Sequence, residues 1–258
     1  MNRFLKILSV GILLVLCGWS NVKKDYLVVG TSADYPPFSF MQDKQIVGHD
    51  VDLAKEIAQR LGYKIYIKDM NFDELIPALQ QGKIDFAIAA ITSTPQRSQI
   101  VDFSSIKYYL PRFSLLHLQN AHITSLKSLE NKKIAVQSSS TMESFLKEHY
   151  NVIDNLEIIS FGRTSSIIHD LKEGLIDGIF IELAEAEVLS LGDKNLSYSV
   201  IDISSDDYNY AIAFPKGSSL IPKVNDIMVE FKISNKFDLL SDRWLNANLT
   251  YDIGGIND

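Results

Sequence analysis

One unit is written twice in this chain. Residues 78–88 read ALQQGKIDFAI and residues 170–180 read DLKEGLIDGIF, so Leu-x-x-Gly-x-Ile-Asp followed by an apolar run recurs ninety-two positions later. In each copy a helical pattern ends at a glycine, Gly82 or Gly174, the residue type that takes the left-handed conformation closing a helix. A short apolar run comes almost at once, Ile84 to Ala90 and Ile176 to Ile181, of the kind buried in a parallel sheet. One such unit occurs in α/β proteins of many functions. Two copies on opposite sides of the midpoint of 258 residues point to two similar lobes. The residues just beyond each strand are then the place to look for chemistry.

The rest of the chain alternates in the same way. YLVVGT (26–31) reads as a buried strand that ends in the loop SADYPPF. Asp50 is placed to cap a helix in which Leu53, Ala54, Ile57, Ala58 and Leu61 keep helical spacing before Gly62. KIYIK (64–68) alternates as a strand, and Asn71 caps a helix carrying Leu75, Ile76 and Leu79. After the strand at 84–90, Thr94 and Pro95 form a cap and first-turn pair for a short helix. The pattern restarts after YYLPRF (108–113). Strands are expected at 132–136, 156–160 and 176–181, and helices at 142–150 and 164–172. YAIAFPKGS (210–218) gives a last strand and turn, and one helical pattern runs from Lys223 to Leu240.

Strands alternating with helices argue for mixed, mostly parallel sheets covered on both faces. The expected division is a first lobe of 25–109 plus 211–258 and a second of 113–206, with crossing segments near 109–112 and 204–210 as a hinge. Ligands in such sheets sit beyond the carboxyl ends of the strands. The two repeated strands therefore deliver residues 89–97 and Glu182 to equivalent edges that would face each other across a cleft.

Net charge is −7 and no long basic run appears, which argues against a nucleic-acid partner. Arg3 and Lys6 precede an apolar run from Ile7 to Leu16 that is too short to span a bilayer. With Gly18 and Ser20 at the −3 and −1 positions of a cut before Asn21, residues 1–20 read as a secretory signal. Cys17 is the single cysteine, so neither a disulfide framework nor a cysteine metal site is available. It stands where a lipidated cysteine would, yet Leu16 precedes it where that pattern wants a small residue. A lipid anchor at Cys17 and removal of Cys17 with the signal both stay open. His49, His117, His122, His149 and His169 show no metal-ligand spacing and are expected at the surface.

A zwitterionic amino acid taken out of water needs a guanidinium and N–H groups for its carboxylate. Its ammonium needs an acid together with carbonyl or hydroxyl acceptors. Arg97, beside the hydroxyls of Thr92, Ser93 and Thr94, and Glu182, at the end of the second repeated strand, supply the two charges. Each also has a plainer reading, a surface ion pair for Arg97 and a helix N-cap for Glu182.

GTSADYPPFSF, VGHDVDLAKEIAQRLG, FDELIPALQQGKIDFAIAAITSTPQRSQIVDFS and YAIAFPKGS resemble, in order and spacing, the polar-amino-acid solute-binding proteins of bacterial ABC importers. The resemblance runs from about Tyr26 to Trp244 and is densest over 28–104. It implies the two-lobed periplasmic-binding-protein fold, export to the periplasm and capture of a polar amino acid by a monomer. It also implies delivery to a membrane permease served by a cytoplasmic ATPase, with no cofactor. By position, Arg97 resembles the family's carboxylate-binding arginine, with Thr92 and Thr141 as hydroxyl and N–H partners. Glu182 falls where the family has an acid, usually Asp, for the α-ammonium, and the Ala90 carbonyl would accept from the same group. Tyr35 and Phe72 resemble the aromatic walls around the ligand's side chain.

Two departures matter. His49 replaces an aromatic Phe, which touches packing. Ser32 stands where members that select lysine, arginine, histidine or glutamine often carry an acid. AAIT (89–92) and AIAFPKGS (211–218) are nearer glutamine binders, while DYPPF and ITSTPQR are equally at home in arginine binders, so both ligands stay open. The chain has no G-x-S-x-G turn, P-loop or G-x-G-x-x-G. The enzyme alternative is an exported cyclohexadienyl dehydratase acting on an arogenate- or prephenate-like substrate, since its members share this fold and Glu182 could serve there.

Overall fold

A computed structural model describes residues 24–149, 152–203 and 208–245. The expected signal, Cys17, part of the second crossing segment and the end of the chain lie outside these residues. In chain order the elements begin with β1 (Tyr26–Thr31), β2 (Asp34–Tyr35), β3 (Ser39–Gln42), β4 (Gln45–Val47), α1 (His49–Leu61) and β5 (Lys64–Asp69). Next come α2 (Phe72–Gln80), β6 (Phe86–Ala87), α3 (Pro95–Ser98), β7 (Asp102–Phe103) and β8 (Phe113–Leu118). The second half continues with β9 (Lys133–Gln137), α4 (Thr141–His149), β10 (Glu157–Phe161), α5 (Thr164–Lys172), β11 (Gly178–Glu182), α6 (Leu183–Gly192) and β12 (Leu196–Ile201). β13 (Ala213–Phe214), α7 (Ile221–Ile233) and α8 (Lys236–Trp244) close the described chain.

Two five-stranded sheets result, in the orders β5-β1-β6-β13-β7 and β10-β9-β11-β8-β12. In each, the first three strands are parallel and the last two antiparallel to their neighbours. β6 and β11, the strands of the repeated unit, both occupy third place. A small antiparallel sheet β2-β3-β4 stands apart.

The repeated aspartate has one job in both copies. Asp85 accepts the Val28 amide at 2.6 Å and Asp177 the Lys133 amide at 2.8 Å. Their own amides donate to the carbonyls of the same two residues. Each aspartate thus clamps the start of the neighbouring parallel strand from both sides of one residue. Gly82 and Gly174 have φ of 63° and 71° after α2 and α5, the left-handed turn that lets a helix reverse into a strand.

Each sheet is covered on both faces. Leu53, Ile57, Phe86, Phe214 and Met228 join α1 and α7 to one face of the first, and Leu75, Leu79, Ile84 and Ala213 join α2 to the other. In the second, Ile168, Leu171, Ile179 and Leu189 lie under α5 and α6, and Val136, Phe145, Leu146 and Phe180 under α4. Each fully buried side chain of this size stabilises by about 1.5–3 kcal/mol.

Three expectations change. The N-cap of α1 is Gly48, not Asp50. A Cβ there would lie 2.3 Å from the Phe38 carbonyl oxygen, and the first amides of α1 donate to the Pro37 and Phe38 carbonyls. With the helix start satisfied by backbone, the Asp50 carboxylate turns inward. The expected helix 223–240 is two helices, broken where Asn235 takes φ 55°, a conformation that asparagine tolerates. His49 and His117 are buried, the former stacked on Tyr108 and the latter bonded between the Leu118 carbonyl and the Ser199 hydroxyl.

Candidate functional site

The carboxyl ends of β1, β6 and β9 converge on one pocket, with roughly 350 Å³ of space that is in part open to solvent. Seven of the eight residues singled out from the sequence line it, namely Ser32, Tyr35, Phe72, Ala90, Thr92, Arg97 and Thr141. The first six come from the first sheet's side and Thr141 from the second.

Arg97 sits on α3, whose start is fixed by the Thr94 hydroxyl accepting the Arg97 amide at 3.2 Å. Its Nη1 donates to the Thr92 carbonyl and its Nη2 to the Ser139 carbonyl of the opposite half, both at 2.8 Å. The guanidinium carbon lies 5.3 Å from the Phe72 ring centroid. Among the described residues no carboxylate pairs with this cation. Burial lowers its pKa to about 10, so it stays charged at neutral pH. Two of five N–H groups are committed to carbonyls, which leaves donors for an anion.

The opposite wall is the start of α4. Ser140 caps it, its hydroxyl accepting the Glu143 amide at 3.0 Å. Thr141 and Met142, both lining the pocket, head the helix where amides have no intrahelical acceptor. A helix N-terminus facing an unpaired guanidinium is a place for a carboxylate. Hydroxyls cross the gap, with Thr92 Oγ1 3.4 Å from Thr141 Oγ1 and donating to the Tyr208 carbonyl at 3.2 Å.

Ala90 has φ 52°, a left-handed conformation that costs a non-glycine residue about 1–2 kcal/mol. Asp50 holds it. Its Oδ2 accepts the Ala90 amide at 2.7 Å and the Tyr108 hydroxyl at 2.9 Å, and its Oδ1 lies 3.0 Å from His49 Nδ1. Sequence reading missed this role, because the same aspartate also fits a helix cap. It also missed Gln137, Met142 and Tyr210 in the lining; no local spacing distinguishes them from core residues.

Glu182 does not join the lining. It is fully buried as the N-cap of α6, with Oε2 accepting the Ala184 amide at 2.6 Å. Oε1 accepts the Tyr109 hydroxyl at 2.9 Å and the Arg112 amide at 3.2 Å. Burial outweighs these three donors and pushes its pKa up to about 7. In this structure protein donors reach both oxygens, and the carboxylate caps α6 outside the pocket lining. Tyr35 joins this group to the pocket. Its phenol is pushed well above its usual range by burial and then by Tyr210, Glu185 and Glu182.

The two halves also meet at the pocket's rim. The Thr164 amide donates to Asp34 Oδ2 at 2.7 Å, and Arg163 bonds Asn71 at 2.9 Å and Asp69 at 3.1 Å. Among the described residues no cluster of histidine, cysteine and acidic side chains is arranged to hold a metal, and no helix is long and apolar enough to cross a membrane.

Residues 27–247 match the bacterial extracellular solute-binding proteins, family 3, and the chain belongs to that family. It is 34% identical to the arginine-binding extracellular protein ArtP of Bacillus subtilis (strain 168), over 91% of this chain and 93% of the relative. A solved structure of an ancestral arginine-binding protein bound to arginine is 35% identical, with a TM-score of 0.80 over 86% of this chain and 99% of that one. An ancestral arginine-binding protein bound to glutamine gives 35% identity and a TM-score of 0.79 over 85% and 97%. The family and these relatives are binding proteins, not enzymes, and the dehydratase alternative finds no support among them.

Proposed function

We propose that this chain is the exported, ligand-capturing subunit of an ABC importer for a polar L-α-amino acid, with arginine first and glutamine second. The observation that carries it is Arg97, a half-buried cation with no acidic partner among the described residues, set opposite the start of α4. In this reading the ligand's carboxylate bonds Arg97, the Thr92 and Thr141 hydroxyls and the first amides of α4. Its ammonium faces the Ala90 carbonyl, which Asp50 aims, with the buried Glu182 group behind. Tyr35 and Phe72 flank the side chain, which extends towards Ser32. The lobes comprise 25–109 with 211–258 and 113–206, and turn about 109–112 and 204–210. The ligand favours closure because its contacts come from both lobes. The loaded protein then presents its cargo to a permease in the membrane, outside the cytoplasm.

Arginine leads because ArtP and the ancestral protein are named for it, and glutamine comes second because the second ancestral structure is bound to glutamine. A thermal-shift panel of the twenty amino acids tests this, since saturating ligand at 100 times Kd raises stability by about 2.7 kcal/mol. The expected result is the largest shift with arginine. A shift only with a sugar, peptide or metal ends the reading.

A further inference from the structure

Ser32 lines the pocket where an acid would be expected for a cationic ligand, and its hydroxyl has a single proton. That proton is engaged, with Ser32 Oγ donating to Asp34 Oδ1 at 2.8 Å. A hydroxyl held in this way offers the pocket lone pairs and no donor. A polar ligand atom that bonds it must therefore be a donor, as the N–H groups of a guanidinium or an amide are.

Asp34 is built into this position. It is 7% exposed, and its second oxygen accepts the Thr164 amide of the opposite half at 2.7 Å. The charged groups around it come from several elements. Arg163 Nη1 lies 4.0 Å from Oδ1, and Arg163 also pairs with Asp69 at 3.1 Å, so one guanidinium is shared between two carboxylates. Glu185, at the first turn of α6, is fully buried, and burial drives it towards its neutral form. Burial also raises Asp34, while the Ser32 hydroxyl, Arg163 and the Thr164 amide favour its ionised form. Asp34 and Asp69 thus share one guanidinium beside Ser32, and Asp34 is the acid in direct contact with the Ser32 hydroxyl.

We propose that Asp34 is the specificity-determining residue of this pocket. It makes Ser32 an obligate acceptor and supplies, one hydrogen bond removed, the negative charge that favours arginine's guanidinium over glutamine's amide. The acid is displaced by two residues along the chain from the lining position, with the serine hydroxyl as the relay. The inference rests on the amino-acid-binding reading and adds which end group the pocket selects. Because Asp34 also bonds Thr164, selectivity is completed only when the second half is in contact.

The test is titration calorimetry of wild type and Asp34→Asn with L-arginine and with L-glutamine. Asparagine keeps the shape and an acceptor for Ser32 but removes the charge. Arginine affinity should fall by about tenfold or more, the scale of one charge-assisted contact, while glutamine affinity changes by less than about threefold. A purely structural role at the interface would weaken both ligands alike, so equal losses, or no loss, overturn the proposal. If Asp34→Asn does not fold, Ser32→Ala measured the same way should lose more arginine than glutamine affinity, and an unmoved ratio again overturns it. Wild-type protein that binds neither amino acid overturns this inference, and binding only of a sugar, peptide or metal overturns the parent reading as well. Binding of both with a fixed ratio overturns this inference alone.

Discussion

β6 and β11 begin alike and end differently. Each comes after a glycine-closed helix and an aspartate clamp, and each takes third place in its sheet. Beyond the strand, the first copy leaves the ladder through Ala90 in a left-handed conformation and reaches α3, where Arg97 faces the pocket. The second copy runs straight into α6, and its terminal Glu182 turns back to cap that helix. The difference is between a strand end whose polar groups open onto the pocket and one whose polar groups are satisfied by the protein. One supersecondary unit serves both uses, and the residues just after it decide which.

The largest test of that contrast is Arg97→Ala. Removing one member of a desolvated charge pair costs about 2–5 kcal/mol, or roughly thirty-fold to several thousand-fold in affinity. The unliganded protein should stay folded by circular dichroism, because the guanidinium bonds only carbonyls among the described residues. Arg97→Lys should recover part of the loss, since an ammonium lacks the planar fork. Unchanged affinity in a folded Arg97→Ala would move the carboxylate elsewhere and take the roles of Thr92 and Thr141 with it.

Glu182 should instead register in stability against pH. Its folded pKa is pushed up to about 7 against 4.5 for an ordinary glutamate, so the folded state holds more protons between those values. Stability must then fall as pH rises from about 4.5 through 7, by on the order of 3 kcal/mol from this group. Glu182→Gln should flatten urea-denaturation midpoints across that window. Part of the slope should remain, because Asp34 and Glu185 are shifted in the same direction. A loss of ligand affinity on the scale of Arg97→Ala would place the Glu182 carboxylate in the pocket and erase the contrast.

The smallest expected effect tests what the copies share. Asp85→Ala and Asp177→Ala each remove a carboxylate–amide bond at a partly exposed site, which should cost about 1–2 kcal/mol of stability in either half. Equal losses in denaturant titrations sharpen the equivalence. A loss confined to one variant breaks it.

The parts of this molecule that could be read from sequence are those written in local spacing. The repeated unit, α5 at 164–172 and the approach to Arg97 rest on caps, glycines and short apolar runs within a few residues. Contacts between distant segments were not legible. Asp50 reaches Ala90 forty residues away, Asp34 meets Thr164 across the pocket, and Glu182 finds donors on the crossing segment at Tyr109 and Arg112. β8 and β12 pair antiparallel far from each other in sequence and carry no hairpin signal that would announce them. An acid at a strand end reads the same whether it faces a ligand or a helix start.

The first sheet closes late. All five strands of the second sheet lie in one continuous stretch, 113–201, whereas β13 fits between β6 and β7 only after that whole stretch has gone by. A chain made from its amino end therefore has β5, β1 and β6 in hand for more than a hundred residues before the strand that joins them to β7 exists. During synthesis the first half must wait with an open sheet edge, and the second can complete its own pairing first. The half that carries Arg97 begins to emerge first and is the last to be finished.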